Sequence, residues 1–203
     1  MIARRPTFFA PSFKSVLAAG QAHPAYADKL RLFGQFVGAW DVDIHNYPAD
    51  GPARRVAGEW HFAWVLEGRA IEDVWIAPKR PQRDPGAGED AGEYGATLRF
   101  YDPRIDAWRS TWHGPVGGVV MNFIGRQVGR EIMLDGAFEA GVATRWIFSD
   151  ITGRTFHWRA VESRDGWETE RMTQKMFAAR QPRWEPWLGE FPIACGLPLR
   201  GLL

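Results

Sequence analysis

The sequence predicts an all-β fold, an antiparallel meander β-barrel of about ten strands with one short N-terminal helix. Short segments in which apolar and polar residues alternate recur along most of the chain. Turn-forming dipeptides such as Thr152-Gly153 and Asp165-Gly166 separate several of these segments. The strand-like segments do not alternate with long helical patterns, so a parallel sheet is not expected. Closure of the meander into a barrel would leave no strand edge exposed.

Tryptophan is the outlying residue in the composition, with 11 copies among 203 residues. Because these residues are spread through strand-like segments, they indicate either a wide barrel with an aromatic cavity or a thick core that they fill. The formal net charge is +1, so no field strong enough to attract nucleic acid or anionic lipid is expected. The expected partner is therefore a small-molecule ligand, with neither nucleic acid nor a membrane involved.

A hairpin from Gly58 to Pro78 organises the predicted barrel, with Glu67-Gly68 as its turn. Since side chains alternate between the two faces of a strand, one face is aromatic around a single carboxylate. Its members are Trp60, Phe62, Trp64, Ile71, Asp73 and Trp75. We expect this face to point inward. A shift of the register by one residue would turn His61 and Glu72 inward instead.

The rest of the chain divides into three regions. Residues 1–22 are predicted to be an irregular arm, residues 23–180 the barrel domain, and residues 181–203 a tail packed on the barrel or on a partner subunit. The apolar residues of the tail favour a homodimer. A helix is predicted over 24–35 and a loop over 79–92. The other predicted strands are 37–44, 94–101, 107–113, 117–126, 130–135, 142–150, 155–163 and 167–177.

A helix followed by Gly38-Ala39-Trp40 on the first strand of a meander resembles the calycin superfamily of lipocalin-like, nitrobindin-like and fatty-acid-binding barrels. Later segments resemble bacterial members of that superfamily: 68–75, 99–103, 145–148 and 163–166. The resemblance implies a barrel that binds a small molecule, with a basic residue of the last strand over Trp40. Arg171 and Lys175 are the candidates for that residue.

No cofactor and no metal are expected. Nitrobindin-like haem binders carry Gly-x-Trp-x-Gly-x-Gly and a His near the end of the barrel, whereas Asp41-Val42-Asp43 follows Trp40 here and the last predicted strand has no His. The five His residues form no close ligand pair, and the single Cys195 excludes an internal disulfide. The apolar run 16–19 is too short for a signal peptide, so a cytoplasmic location is expected.

Polar residues inside aromatic strand segments carry the functional hypotheses. An inward Asp73 needs a cationic partner, and Arg99 and Arg145 are the candidates. Such a pair is either an internal strut or a part of a working site. The first hypothesis is an intracellular barrel that binds a small apolar or aromatic molecule through Trp60, Phe62, Trp64, Trp75, Tyr101, Trp112, Asn122, Arg145, Trp158 and Glu162. The second is a cofactor-independent lyase, hydratase or isomerase with Asp73 and Arg99 as catalytic residues. A barrel with a filled interior is the third.

Overall fold

Ten antiparallel strands form one closed barrel in the computed structural model, which describes residues 11–83, 92–139 and 141–182. The barrel strands are β2 Gly38–Asn46, β3 Arg54–Val65, β4 Ala70–Ala77, β5 Glu93–Asp102, β6 Ala107–Gly114, β7 Val119–Val128, β8 Glu131–Glu139, β9 Val142–Ser149, β10 Thr155–Ser163 and β11 Arg171–Arg180. A further two-residue strand, β1 Ala18–Ala19, pairs with β3 outside the ring. From β2 to β11 each strand pairs with the next, and β11 pairs with β2 to close the ring. The predicted fold class is confirmed.

Two α-helices precede the barrel in the described part of the chain. Helix α1 is Phe13–Leu17, and helix α2 is Ala27–Gly34, entered through a 3₁₀ turn at Pro24–Tyr26 that matches the start of the predicted helix. Residues 13–19 are thus not irregular, since α1 leads into β1, which pairs with the end of β3. Residues 1–10 and the tail from residue 183, including Cys195, lie outside the described residues. Neither described helix is long and apolar enough to span a membrane.

Helix α2 closes one end of the barrel. Leu30 and Phe33 on its inner face are buried, and the Phe33 ring lies 4.8 Å from the Trp108 ring, centroid to centroid. Gly34 permits this close approach, because a Cβ at that position would lie 2.5 Å from the ring of Trp64 on β3. The half of the barrel next to α2 is therefore packed with aromatic side chains.

The central hairpin has the register that the sequence predicted. Trp60 pairs with Trp75 and Phe62 with Asp73, so the aromatic face points inward. The turn is wider than the predicted Glu67-Gly68 loop, because β3 ends at Val65 and β4 begins at Ala70. Residues 66–68 all have positive φ angles, and a glycine at residue 68 adopts such an angle without strain.

Arg180, and not Arg171 or Lys175, is the basic residue that covers Trp40. Its guanidinium lies 4.1 Å from the centre of the buried indole ring. It also donates to the main-chain oxygens of Gln35, Val37 and Gly153, each at 2.8 Å. Because β11 runs antiparallel to β2, its last residue pairs with Trp40, near the start of β2. Arg171 lies at the opposite end of β11, where it pairs with Glu162.

Replacing Arg180 by Ala is expected to lower the free energy of unfolding by about 2–4 kcal/mol, since three carbonyl groups lose a charged donor and Trp40 loses its cover. Arg154→Ala is the matched control, because Arg154 is exposed nearby and its side chain makes no hydrogen bond or ion pair among the described residues. Chemical unfolding of both variants measures the difference. Equal stabilities would contradict the role given to Arg180.

The outer face of the hairpin is anchored by Glu59. Its carboxylate accepts from the Arg80 guanidinium at 2.8 and 3.0 Å and from the Arg80 backbone N–H at 2.7 Å. His61 Nε2 lies 2.8 Å from the same carboxylate. The hydrogen bonds from Arg80 lower the pKa of Glu59 from its ordinary 4.5 to about 2, against the opposing effect of burial. This contact fastens the segment after β4 to the barrel wall.

The stabilisation by Glu59 is expected to depend on pH. Because its folded pKa lies below the ordinary value, the contribution is complete above pH 4.5 and disappears as the pH falls towards 2. Glu59→Gln should therefore be less stable than the wild type by about 2 kcal/mol at pH 7, and the gap should narrow below pH 4.5. Urea titrations across this range test the prediction, which a gap independent of pH would refute.

Candidate functional site

The half of the barrel away from α2 is hollow. It contains a cavity of about 340 Å³. Asn46, Glu93 and Val119 line its outer part and lie at strand ends far from α2, and Trp60 and Trp75 line it deeper in the barrel. The cavity therefore opens at the end of the barrel that the helix leaves free.

Five tryptophans surround this cavity, and each contacts the next one along the barrel wall. Ring centroids are 6.1 Å apart for Trp75 and Trp112, 6.2 Å for Trp112 and Trp146, 5.4 Å for Trp146 and Trp158, and 6.3 Å for Trp158 and Trp60. All four contacts are edge-to-face, a favourable geometry for aromatic rings. We call these five residues the tryptophan belt. It presents ring faces and edges to any molecule in the cavity.

A glycine on β5 keeps one belt member against the wall. A Cβ at Gly95 would lie 2.2 Å from the ring of Trp112 and 2.6 Å from the main-chain oxygen of His113. The indole of Trp112 therefore occupies the space that any other residue at position 95 would need. Since Gly95 also pairs with Trp75 on β4, it allows two belt members to meet edge to face without a side chain between them.

Polar side chains line the cavity beside the aromatic rings: Asn46, Glu93, Thr97, Thr144, Glu162, Thr173 and Gln174. The indole N–H groups of Trp75 and Trp158 are buried and have no hydrogen-bond partner among the described residues. Glu162 pairs with Arg171 at 2.8 Å, whereas no such pair is found for Glu93 in the described part of the chain. Burial raises the pKa of the Glu93 carboxyl. Among the described residues, Glu93 is thus the cavity acid without an ion-pair partner.

Asp73 and Arg99 form a fully buried ion pair that does not line the cavity. One Asp73 oxygen accepts from Arg99 and the other from the indole N–H of Trp60 at 2.6 Å. The guanidinium also lies 5.3 Å from the Phe33 ring, towards α2. Burial lowers the pKa of Arg99 to about 9, which still leaves it charged at neutral pH. The pair holds Trp60 in place and has no exposed surface for a reaction.

The structure brings part of the predicted ligand-binding set together. Its cavity-lining members are Trp60, Trp75, Trp112, Trp158 and Glu162. The other members lie elsewhere. Phe62 packs on Phe36, and Trp64 packs on Gly34 of α2. The Tyr101 hydroxyl donates to Asp106, 2.5 Å away, on the turn between β5 and β6.

Asn122 and Arg145 lie on the outer face of the barrel. The inward positions of their strands belong to the neighbouring residues, among them Met121 and Trp146. The side chain of Asn122 accepts a hydrogen bond from the Thr111 hydroxyl, and Arg145 forms an ion pair with Asp135. The expected inward placement of both residues is thus corrected by the alternation of side chains along β7 and β9.

Several lining residues were missed by the sequence analysis: Glu93, Met121, Trp146, Ala160 and Met176. Trp146 was missed because it neighbours Arg145, and either phase of the alternation was consistent with their segment. Glu93 lies one residue before the predicted strand 94–101 and therefore was not assigned to a face. The methionines and Ala160 carry no local signal that separates a cavity wall from a filled core.

No protein-family model and no curated protein matches the sequence. Among solved structures, the chain resembles Rv2717c from M. tuberculosis, with a TM-score of 0.54 and 12% identity over 79% of this chain and 99% of that one. It also matches the S-type phycobiliprotein lyase CPES from Guillardia theta, with a TM-score of 0.48 and 11% identity over 85% and 99% of the chains. The closed barrel and the first likeness confirm the antiparallel barrel fold that the sequence predicted.

Asp73→Ala is expected to lower the free energy of unfolding by roughly 3–5 kcal/mol, because it leaves Arg99 charged and unpaired in the interior. Asp73→Asn should cost less, since the amide oxygen can still accept a hydrogen bond. Glu72→Ala on the outer face is the control. Thermal and chemical unfolding of the three variants give the order. If Asp73→Ala unfolds like the wild type, the ion pair is not a structural element.

Proposed function

We propose that this protein binds a small, largely apolar and aromatic molecule inside the tryptophan belt. The observation that carries the proposal is a cavity of about 340 Å³ lined by five tryptophans. Small-molecule pockets are typically concave, apolar and roughly 300–1,000 Å³ in volume. A barrel that served only as a scaffold would gain stability by filling this space, because empty volume forfeits packing contacts.

Two indole N–H groups of the tryptophan belt lack a partner in the described part of the chain. Trp75 and Trp158, which carry them, are each more than nine-tenths buried. Buried donors without acceptors are uncommon, because losing a hydrogen bond to water is costly. Each nitrogen has less than 1 Å² of accessible area, so the indole would have to turn before an acceptor atom on a bound molecule could reach it. The aromatic walls would contact the apolar body of the same molecule.

The alternative function as a lyase, hydratase or isomerase receives no support from the predicted catalytic pair. The side chains of Asp73 and Arg99 are 0% exposed, and neither lines the cavity. A general acid or base must come within hydrogen-bonding distance of the proton that it transfers. The pair instead bonds to Trp60 and faces aromatic rings near α2. We therefore assign the ion pair a structural role, in which it holds the cavity-lining Trp60 in place.

Filling the cavity tests the proposal. Ala160 lines the cavity, so Ala160→Phe should weaken binding of the neutral probe 1-naphthylmethanol at least ~10-fold, as expected for a pocket that loses its volume. Ala63→Phe is the matched control, because Ala63 is exposed on the outside of β3. Isothermal titration calorimetry gives the affinities, and thermal melts check that both variants fold. Undiminished binding by Ala160→Phe, or no binding by the wild type, contradicts the proposal.

A further inference from the structure

The charged side chains that line the cavity in the described part of the chain are all acidic. Among the described lining residues are two acids, Glu93 and Glu162, and no Lys, Arg or His. Arg171 neutralises Glu162 through an ion pair of 2.8 Å. Within residues 11–83, 92–139 and 141–182, no basic side chain forms an ion pair with the Glu93 carboxylate. Among the described lining residues, Glu93 is thus the charge without an ion-pair partner.

Arg83 contacts Glu93 without forming an ion pair with its carboxylate. Arg83 donates to the main-chain oxygen of Glu93 at 3.2 Å, and its guanidinium lies 5.7 Å from the ring of Tyr94, an exposed residue. The Glu93 carboxylate lies close to the tryptophan belt. A Cβ added at Gly114 would be 3.3 Å from Glu93 Oε1 and 2.8 Å from the indole nitrogen of Trp112. The acid and the belt therefore border the same space.

We infer that the molecule bound in this cavity carries a positively charged amine or ammonium group that pairs with Glu93 while its apolar or aromatic body lies within the tryptophan belt. This inference rests on the proposed function. The faces of aromatic rings attract cations, and tryptophan does so most strongly. A partly buried carboxylate without a partner is unfavourable until a cation reaches it. A cationic ligand would interact favourably with both the ring faces and the Glu93 carboxylate. An anionic ligand would be repelled by Glu93.

Three probes of nearly equal shape separate charge from size: 1-naphthylmethylamine, which is protonated at pH 7, neutral 1-naphthylmethanol and anionic 1-naphthoate. Each is titrated calorimetrically into the wild type, Glu93→Gln and Glu72→Gln. Glu72 is the matched control, since it lies on the outer face of β4 and its removal changes the net charge equally. We expect the wild type and Glu72→Gln to bind the amine at least ~10-fold more tightly than the alcohol, and the naphthoate least.

In Glu93→Gln the preference for the amine over the alcohol is expected to fall below about 3-fold. Equal affinities of the wild type for amine and alcohol would overturn the inference and leave the proposed function intact. A preference that survives in Glu93→Gln would overturn the role of Glu93. Absence of binding for all three probes would overturn the proposed function itself. The affinities of the wild type for the three probes show whether a cation is preferred, even if Glu93→Gln unfolds at a lower temperature.

Discussion

The buried ion pair between Asp73 and Arg99 divides the interior of the barrel. On one side of it, the rings of Phe33, Phe62 and Phe148 surround the guanidinium and continue to the helix that closes the barrel. On the other side lies the cavity. Because a buried charge must keep its partner, the pair fixes β4 relative to β5 at this level. It also holds the indole of Trp60, so the packed half positions the first member of the tryptophan belt.

The hollow half follows from the kind of side chain that faces inward. Indole rings in edge-to-face contact form a wall, and a row of such contacts extends around the barrel without requiring atoms at its centre. Small inward residues such as Thr97, Thr144 and Ala160 leave further space between the rings. Because Gly95 has no side chain, the ring of Trp112 can lie against β5 instead of being displaced towards the barrel axis. The high tryptophan content therefore accounts for the cavity, because the indole rings form its wall.

Local sequence patterns predicted the fold class and the register of the central hairpin, because alternation and a short turn together fix which residues face each other. The partner of Trp40 was not predictable in this way. Arg180 meets Trp40 through the pairing of β11 with β2, strands joined by most of the barrel, and no local pattern sets that register. Asn122 and Arg145 were misplaced for a related reason, since both neighbour apolar residues and either phase of the alternation was consistent with their segments.

The most direct test of the account is a crystal structure of the protein with 1-naphthylmethylamine. We expect the naphthalene ring inside the tryptophan belt, in contact with Trp75 and Trp158, and the ammonium group beside Glu93. The Asp73–Arg99 pair should be unchanged beneath it. A structure with the probe only on the outer surface, or with side chains of the barrel itself filling the cavity, would contradict the central claim that this barrel is a binding site.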